Sequence, residues 1–165
     1  MTPTPEPPNV HRPRFDAASD RGAFRWQRAF LGRQAGADQL GASLLDVAPG
    51  ASTFPYHAHH ANEELLVVLA GQPTLRTPAG ERRLADGEVV SFPAGAAGAH
   101  ALRNDTGEVV RVLVVSTMLA PEINEFPDSG VLWARSFVPG RAPGEGDVVA
   151  VGRIGDELDV LAGEV

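Results

Sequence analysis

"PYHAHHANEELLVVLAG", from Pro55 to Gly71, holds three of the chain's five histidines, then two adjacent glutamates and an apolar run that stops at glycine. His57 and His59 are two residues apart, so on a β-strand both imidazoles leave the same face. Two ligands of one metal ion need that geometry. Glu64 opens the next apolar segment in phase with Leu66 and Val68, and a turn through His60-Ala61-Asn62-Glu63 returns its carboxylate to the same face. Downstream, "EVVSFPAGAAGAHALRN" (Glu88 to Asn104) reads as strand, Pro-Gly turn and strand, the second strand carrying His100. His100 is the fourth candidate ligand. By the same parity His60 and Glu63 point the other way and are read as surface groups, as is the isolated His11.

Working outward, the composition limits what such a cluster can be. With 165 residues there is room for one domain and its tails. Eighteen glycines and 14 prolines favour many turns and short strands over long helices. The absence of cysteine removes disulfides, thiolate sites and cysteine nucleophiles, so any metal must be held by histidine and carboxylate. A net charge of −7 with no local Lys/Arg cluster argues against nucleic acid as a partner. No apolar stretch approaches the ~20 residues needed to span a bilayer, and "MTPTPEPPNV" lacks the features of a signal peptide. The expectation is a soluble, cytoplasmic protein with no membrane partner.

Residues 1–14 contain five prolines and almost no large apolar side chain, and are expected to form a disordered tail. The domain is expected over 15–138, with 139–165 a Gly- and Pro-rich extension packed outside it. Large apolar residues begin at Phe24, and Leu40 to Gly50 reads as a strand stopped by Pro49-Gly50. Further short strands follow at Tyr56–His59, Glu64–Ala70, Thr74–Thr77, Glu81–Leu84, Glu88–Phe92, Ala99–Asn104 and Val109–Thr117, separated by Gly, Pro, Asn and Asp. Many short, regularly punctuated strands indicate an all-β, antiparallel sandwich or barrel. "LLVVLA" (Leu65 to Ala70) and "VRVLVV" (Val110 to Val115) are apolar at nearly every position, so both faces of these strands should be buried. One face fills the interior. The other needs a cover: an opposing sheet, the segments before Leu40 or after Ala120, or a second subunit.

These residues resemble the two motifs of the cupin superfamily. The first reads Gly50, His57-Ala58-His59, Glu64, Gly71, with one extra residue after Gly50; the six residues between Glu64 and Gly71 select Glu64 over Glu63. The second reads Gly87, Pro93-Ala94-Gly95, His100, Asn104, with a longer loop than usual between Gly95 and His100. The motifs lie within 50–104, and the chain is similar to small bacterial single-domain cupins in this region and in Phe126-Pro127-Asp128-Ser129-Gly130. The resemblance implies a double-stranded β-helix, or jelly-roll barrel. It also implies one metal inside, held by His57, His59, Glu64 and His100, the four residues that strand parity brings together. It further implies a homodimer.

Three imidazoles and one carboxylate suit Fe, Mn, Ni or Zn as the divalent ion, and in six-coordinate geometry leave two positions for water, substrate or dioxygen. Tyr56, Leu66, Val68, Phe92 and Leu102 are the expected pocket-lining residues around a small-molecule ligand or substrate. No separate catalytic acid or base stands out. The leading expectation is a metal-dependent, dioxygenase-like enzyme acting on a small oxygen-containing molecule. A metal-dependent isomerase or lyase, and a non-catalytic small-molecule binding or sensing cupin, are the alternatives.

Overall fold

The two apolar runs become neighbouring central strands. In the computed structural model, which describes residues 6–155, the elements in chain order are β1 (Ala17–Arg21), β2 (Phe24–Ala29), α1 (Leu31–Ala35), β3 (Leu40–Val47), β4 (Ala51–Ser52), β5 (Ala58–His59), β6 (Glu64–Ala70), β7 (Thr74–Thr77), β8 (Gly80–Arg83), β9 (Val89–Phe92), β10 (Ala101–Asn104), β11 (Val110–Thr117), β12 (Glu122–Phe126), β13 (Val131–Arg135) and β14 (Val149–Arg153). A single 3-10 turn at Ala96–Gly98 precedes β10. All ladders are antiparallel, and they assemble into three sheets ordered β1-β2-β3-β11-β6-β9, β4-β10-β7-β8 and β14-β13-β12-β5. This is the all-β architecture expected. The jelly roll is not closed by hydrogen bonds, however, because β4 and β5 are two-residue strands too short to carry a continuous ladder round the barrel. An isolated bridge between His57 and His100 ties the sheets together at the site itself.

The interior is filled from opposing sheets. Leu45, Val47, Leu66, Val68, Phe92, Val110 and Val112 of the six-stranded sheet meet Leu75, Leu102 and Ala51 of the second, with Leu84 beside them. The outer face of the central strands has its own cover. Leu44 packs with Ala29 and Leu31, and Val10, Phe15, Ala42, Leu69 and Leu113 surround them, so the segment before Leu40 fills this role. Burying both faces explains why β11 does not alternate in hydropathy. The expected tail over 1–14 lies partly outside the described residues. Of the rest, Val10 sits in that outer cluster, and Arg111, paired bidentately with Asp46, also donates to the Val10 and His11 carbonyls. Likewise, residues 156–165 of the expected extension lie outside, while β14 adds an exposed edge strand to β13.

The turn before His100 depends on a close backbone approach. A Cβ on Gly98 would sit 1.8 Å from the Pro93 carbonyl oxygen, so no side chain fits without moving the turn. The Gly98 carbonyl in turn holds His100 Nδ1 at 2.9 Å. We therefore expect Gly98→Ala to lower the melting temperature by about 5 °C or more and to weaken divalent-metal binding with it. Calorimetry and metal titration of the same sample check both; a variant unchanged in either measurement contradicts this coupling.

Candidate metal centre

Strand parity and one tight turn bring the four groups into one place. His57 immediately precedes β5 and His59 ends it, and Glu64 begins β6, where it pairs with Phe92 and Ser116 on its two neighbours. Ligating atoms of His57, His59 and Glu64 all lie within 4.8 Å of one another. His100 joins them: its Nε2 is 3.3 Å from Glu64 Oε2, and His59 Nε2 is 3.5 Å from the same oxygen. The His57 ring is 5.0 Å from that of His59 and 4.7 Å from that of His100, centre to centre.

The outward nitrogens are already engaged, which leaves the inward ones for a cation. His57 Nδ1 donates to the Pro55 carbonyl at 2.8 Å and His100 Nδ1 to that of Gly98 at 2.9 Å, so in both rings the Nε2 lone pair faces the centre. His59 Nδ1 meets two groups from β12: the Asn124 side-chain amide at 2.9 Å and Glu122 Oε2 at 3.4 Å. Asn124 Oδ1 is buried with no partner while its amide nitrogen faces His59. A half-turn of the amide places Oδ1 on an Nδ1–H instead, which satisfies the oxygen and frees His59 Nε2. The adjacent Glu122 anion favours a proton on Nδ1 for the same reason. The donor set and its outer bonds therefore fit a divalent ion bound through three Nε2 atoms and the Glu64 carboxylate.

Electrostatics point the same way. Burial alone would raise Glu64, but the imidazoles of His100, His59 and His57 more than offset it and bring its pKa down to about 2. The carboxylate is thus an anion with no Lys or Arg in ion-pair contact among the described residues. Burial, reinforced by the neighbouring His100 and His59, lowers His57 to about 4, which keeps its ring neutral and able to ligate. Glu122 is fully buried. Desolvation opposes its charge, yet bonds from His59, Asn62 and the Ala61 N–H hold its pKa below the ordinary value.

The expected lining divides. Phe92 stacks on His100 at 3.8 Å, while Leu66, Val68 and Leu102 are packed in the interior core. Tyr56 lies under the Arg76 guanidinium at 3.9 Å, and Arg76 is paired with Asp128. His60 is exposed and bonds Glu125 at 2.8 Å, and Asn104 ties its own turn through the Val47 and Glu108 carbonyls. The sequence reading missed Glu122, Asn124 and Phe126, whose ring stacks 6.0 Å from His57. Their signal was present: in Glu122-Ile123-Asn124-Glu125-Phe126 the three occupy alternate positions of one strand face.

Residues 43–116 match the family model for the cupin domain. This segment is a cupin domain. Among solved structures, this cupin resembles a candidate sugar phosphate isomerase from Acidithiobacillus ferrooxidans, with 27% identity and a TM-score of 0.71 over 84% of this chain and 82% of that one. It is similar to a sugar phosphate isomerase from Silicibacter pomeroyi at 27% identity and TM-score 0.69, covering 82% of this chain and 81% of that one. It shares its fold with the polyketide cyclase RemF from Streptomyces resistomycificus, at 24% identity, TM-score 0.58, and 72% and 84% coverage. No curated protein matches the sequence. Among the described residues no helix is long and apolar enough to cross a membrane.

Two outcomes follow from the geometry. Glu122→Gln should weaken divalent-metal binding by about tenfold, whereas His60→Ala should leave it unchanged; isothermal titration of both variants decides, and equal affinities contradict the role given to Glu122. His57 falls on folding from its ordinary 6.5 to about 4, so its contribution to stability is complete above pH 6.5 and is lost as the pH drops toward 4. Metal-free protein should accordingly melt at lower temperature as pH falls through that window, and His57→Gln should flatten the decline.

Proposed function

We propose that this cupin is a metal-dependent enzyme acting on a small oxygen-containing molecule, with isomerase-type chemistry as its class. The observation that carries the reading is the convergence of three imidazoles, their outward nitrogens already bonded, on one partly buried carboxylate. A divalent ion bound there supplies a Lewis acid that polarises a hydroxyl or carbonyl oxygen. His57, His59, His100 and Glu64 hold it, Glu122 and Asn124 fix the His59 ring, and Phe92 and Phe126 wall the site with aromatic faces. The likeness to a sugar phosphate isomerase and to a candidate one, over more than four-fifths of the chain, favours rearrangement over oxidation.

The dioxygenase reading is the second, supported by the apolar faces of Phe92 and Phe126 against the same ligand set. A homodimer belongs to this proposal as well: Trp133 and Val151, opposite each other on β13 and β14, stay exposed on the single chain. The net charge of −7 argues against nucleic acid as a further partner.

One experiment separates the chemistries. The protein is loaded anaerobically with Mn(II), Fe(II), Ni(II) or Zn(II) and incubated with hydroxy-carbonyl compounds in deuterated buffer, then with oxygen. Metal-dependent incorporation of deuterium next to the carbonyl, without oxygen uptake, is the expected result. Oxygen consumption without exchange transfers the assignment to the dioxygenase, and no metal-dependent change with any compound overturns the enzyme reading.

A further inference from the structure

The strand added before the cupin motifs turns two unpartnered donors inward. On β2, Trp26 pairs with Val47 and Arg28 with Leu45, and both partners are core residues, so these side chains face the barrel interior. Ala29 pairs with Leu44 on the opposite, outer face. An arginine on an interior face is expensive unless something answers its charge. Arg28 Nη2 donates to Ser43 Oγ at 2.7 Å, and its guanidinium lies over Phe30 at 4.7 Å and Phe54 at 5.6 Å. Its Nε is buried without a hydrogen-bond partner, and the Trp26 indole N–H is buried in the same condition. No described carboxylate forms an ion pair with Arg28.

These donors sit beside the candidate metal centre. Ser43, which holds the guanidinium, shares an inward row with Val114 and Leu66, next to the row of Gly41, Ser116 and Glu64. Phe54 packs against Arg28, tilts against Trp26 at 5.3 Å and stands edge-on to His57 at 6.2 Å. A groove of about 480 Å³ between the β1–β2 hairpin and residues 53–55 reaches in to Trp26 and Phe54 from the surface. Burial brings the Arg28 pKa down to about 10, against the opposing influence of Glu64, so the group remains a cation at neutral pH with most of its hydration removed. Once a divalent ion engages Glu64, that one carboxylate cannot balance both the ion and Arg28. The missing charge is that of a bound anion.

We infer that Arg28 and Trp26 form an oxyanion subsite for the substrate, recognising a carboxylate or phosphate group while another oxygen of the same molecule reaches the metal. The inference rests on the metal-enzyme reading above and narrows its substrate to anionic hydroxy or carbonyl compounds. A guanidinium with a free Nε–H offers the fork that carboxylate and phosphate oxygens accept, and the indole N–H adds a neutral donor alongside. A strut role, bonding Ser43 alone, would leave the Nε and the indole N–H with nothing to do.

The test titrates ribose 5-phosphate, glycolate and uncharged ribose into full-length protein, both metal-free and loaded with Zn(II), by calorimetry. At least one anion should bind tenfold or more tightly than ribose; ribose 5-phosphate identifies a phosphate subsite and glycolate a carboxylate subsite. Arg28→Met should weaken that anion at least tenfold with zinc affinity unchanged, and Trp26→Phe, which keeps the ring and removes the donor, about threefold. If Arg28→Met does not fold, Arg28→Lys keeps the charge without the fork and should still lose affinity for the anion. Anion binding unaltered by these substitutions, or no anion preferred over ribose, overturns the subsite. If the wild type takes up no zinc, the metal reading fails on its own and the metal-free titrations decide the Arg28 subsite.

Discussion

The site in this fold is organised around one partly buried carboxylate. Glu64 stands at the start of a central strand with only 14% of its side chain exposed, and the groups touching it are imidazoles. Burying such an anion in an apolar barrel costs several kcal/mol unless a cation answers it. The imidazoles do so in part by favouring ionisation of Glu64, while burial and mutual repulsion keep His57 neutral. What remains is a carboxylate without a Lys or Arg partner among the described residues, facing imidazole nitrogens, a donor set that suits a divalent cation.

The scaffold meets that constraint with several separate strands. β5 and β6 bring His57, His59 and Glu64, the turn through Gly98 brings His100, and β12 closes from behind with Glu122 and Asn124. The four side chains therefore come from three separate parts of the chain. The hydrophobic core between the sheets supplies rigidity, and the second cluster under α1 and β2 covers the outer face of the central strands. The same N-terminal strand that completes this cover also carries Arg28 and Trp26 on its inner face. Structure and substrate recognition thus share one element.

Much of the centre was legible in the sequence because strand periodicity is strict. His-x-His and the phase of Glu64 bring three side chains within 4.8 Å of one another, and a further histidine after a Pro-x-Gly turn lies 3.3 Å from Glu64. The central strands were equally readable, since β6 and β11 depart from alternation where the N-terminal segment covers Leu69 and Leu113 on their outer face, although Leu65 of the same face stays exposed. The other elements spoke more weakly. β1 and β2 mix arginine, glutamine and aspartate with aromatics, so their inward face is visible only once their partner strand is known. Glu122 carries no signal of its own in the sequence because its surroundings depend on contacts sixty or more residues away, to Ala61 and Asn62. Tyr56 shows the converse: it neighbours His57 in sequence and was expected in the pocket lining, yet its ring lies under Arg76.

The most direct measurement of this account is a crystal structure of the protein soaked with Zn(II), with anomalous diffraction recorded on either side of the zinc edge. The account requires one anomalous peak per chain, bounded by the Nε2 atoms of His57, His59 and His100 and by the Glu64 carboxylate, with His59 Nδ1 facing Asn124 and Glu122. A peak elsewhere, one that omits any of these four residues, or none at a saturating zinc concentration would contradict it.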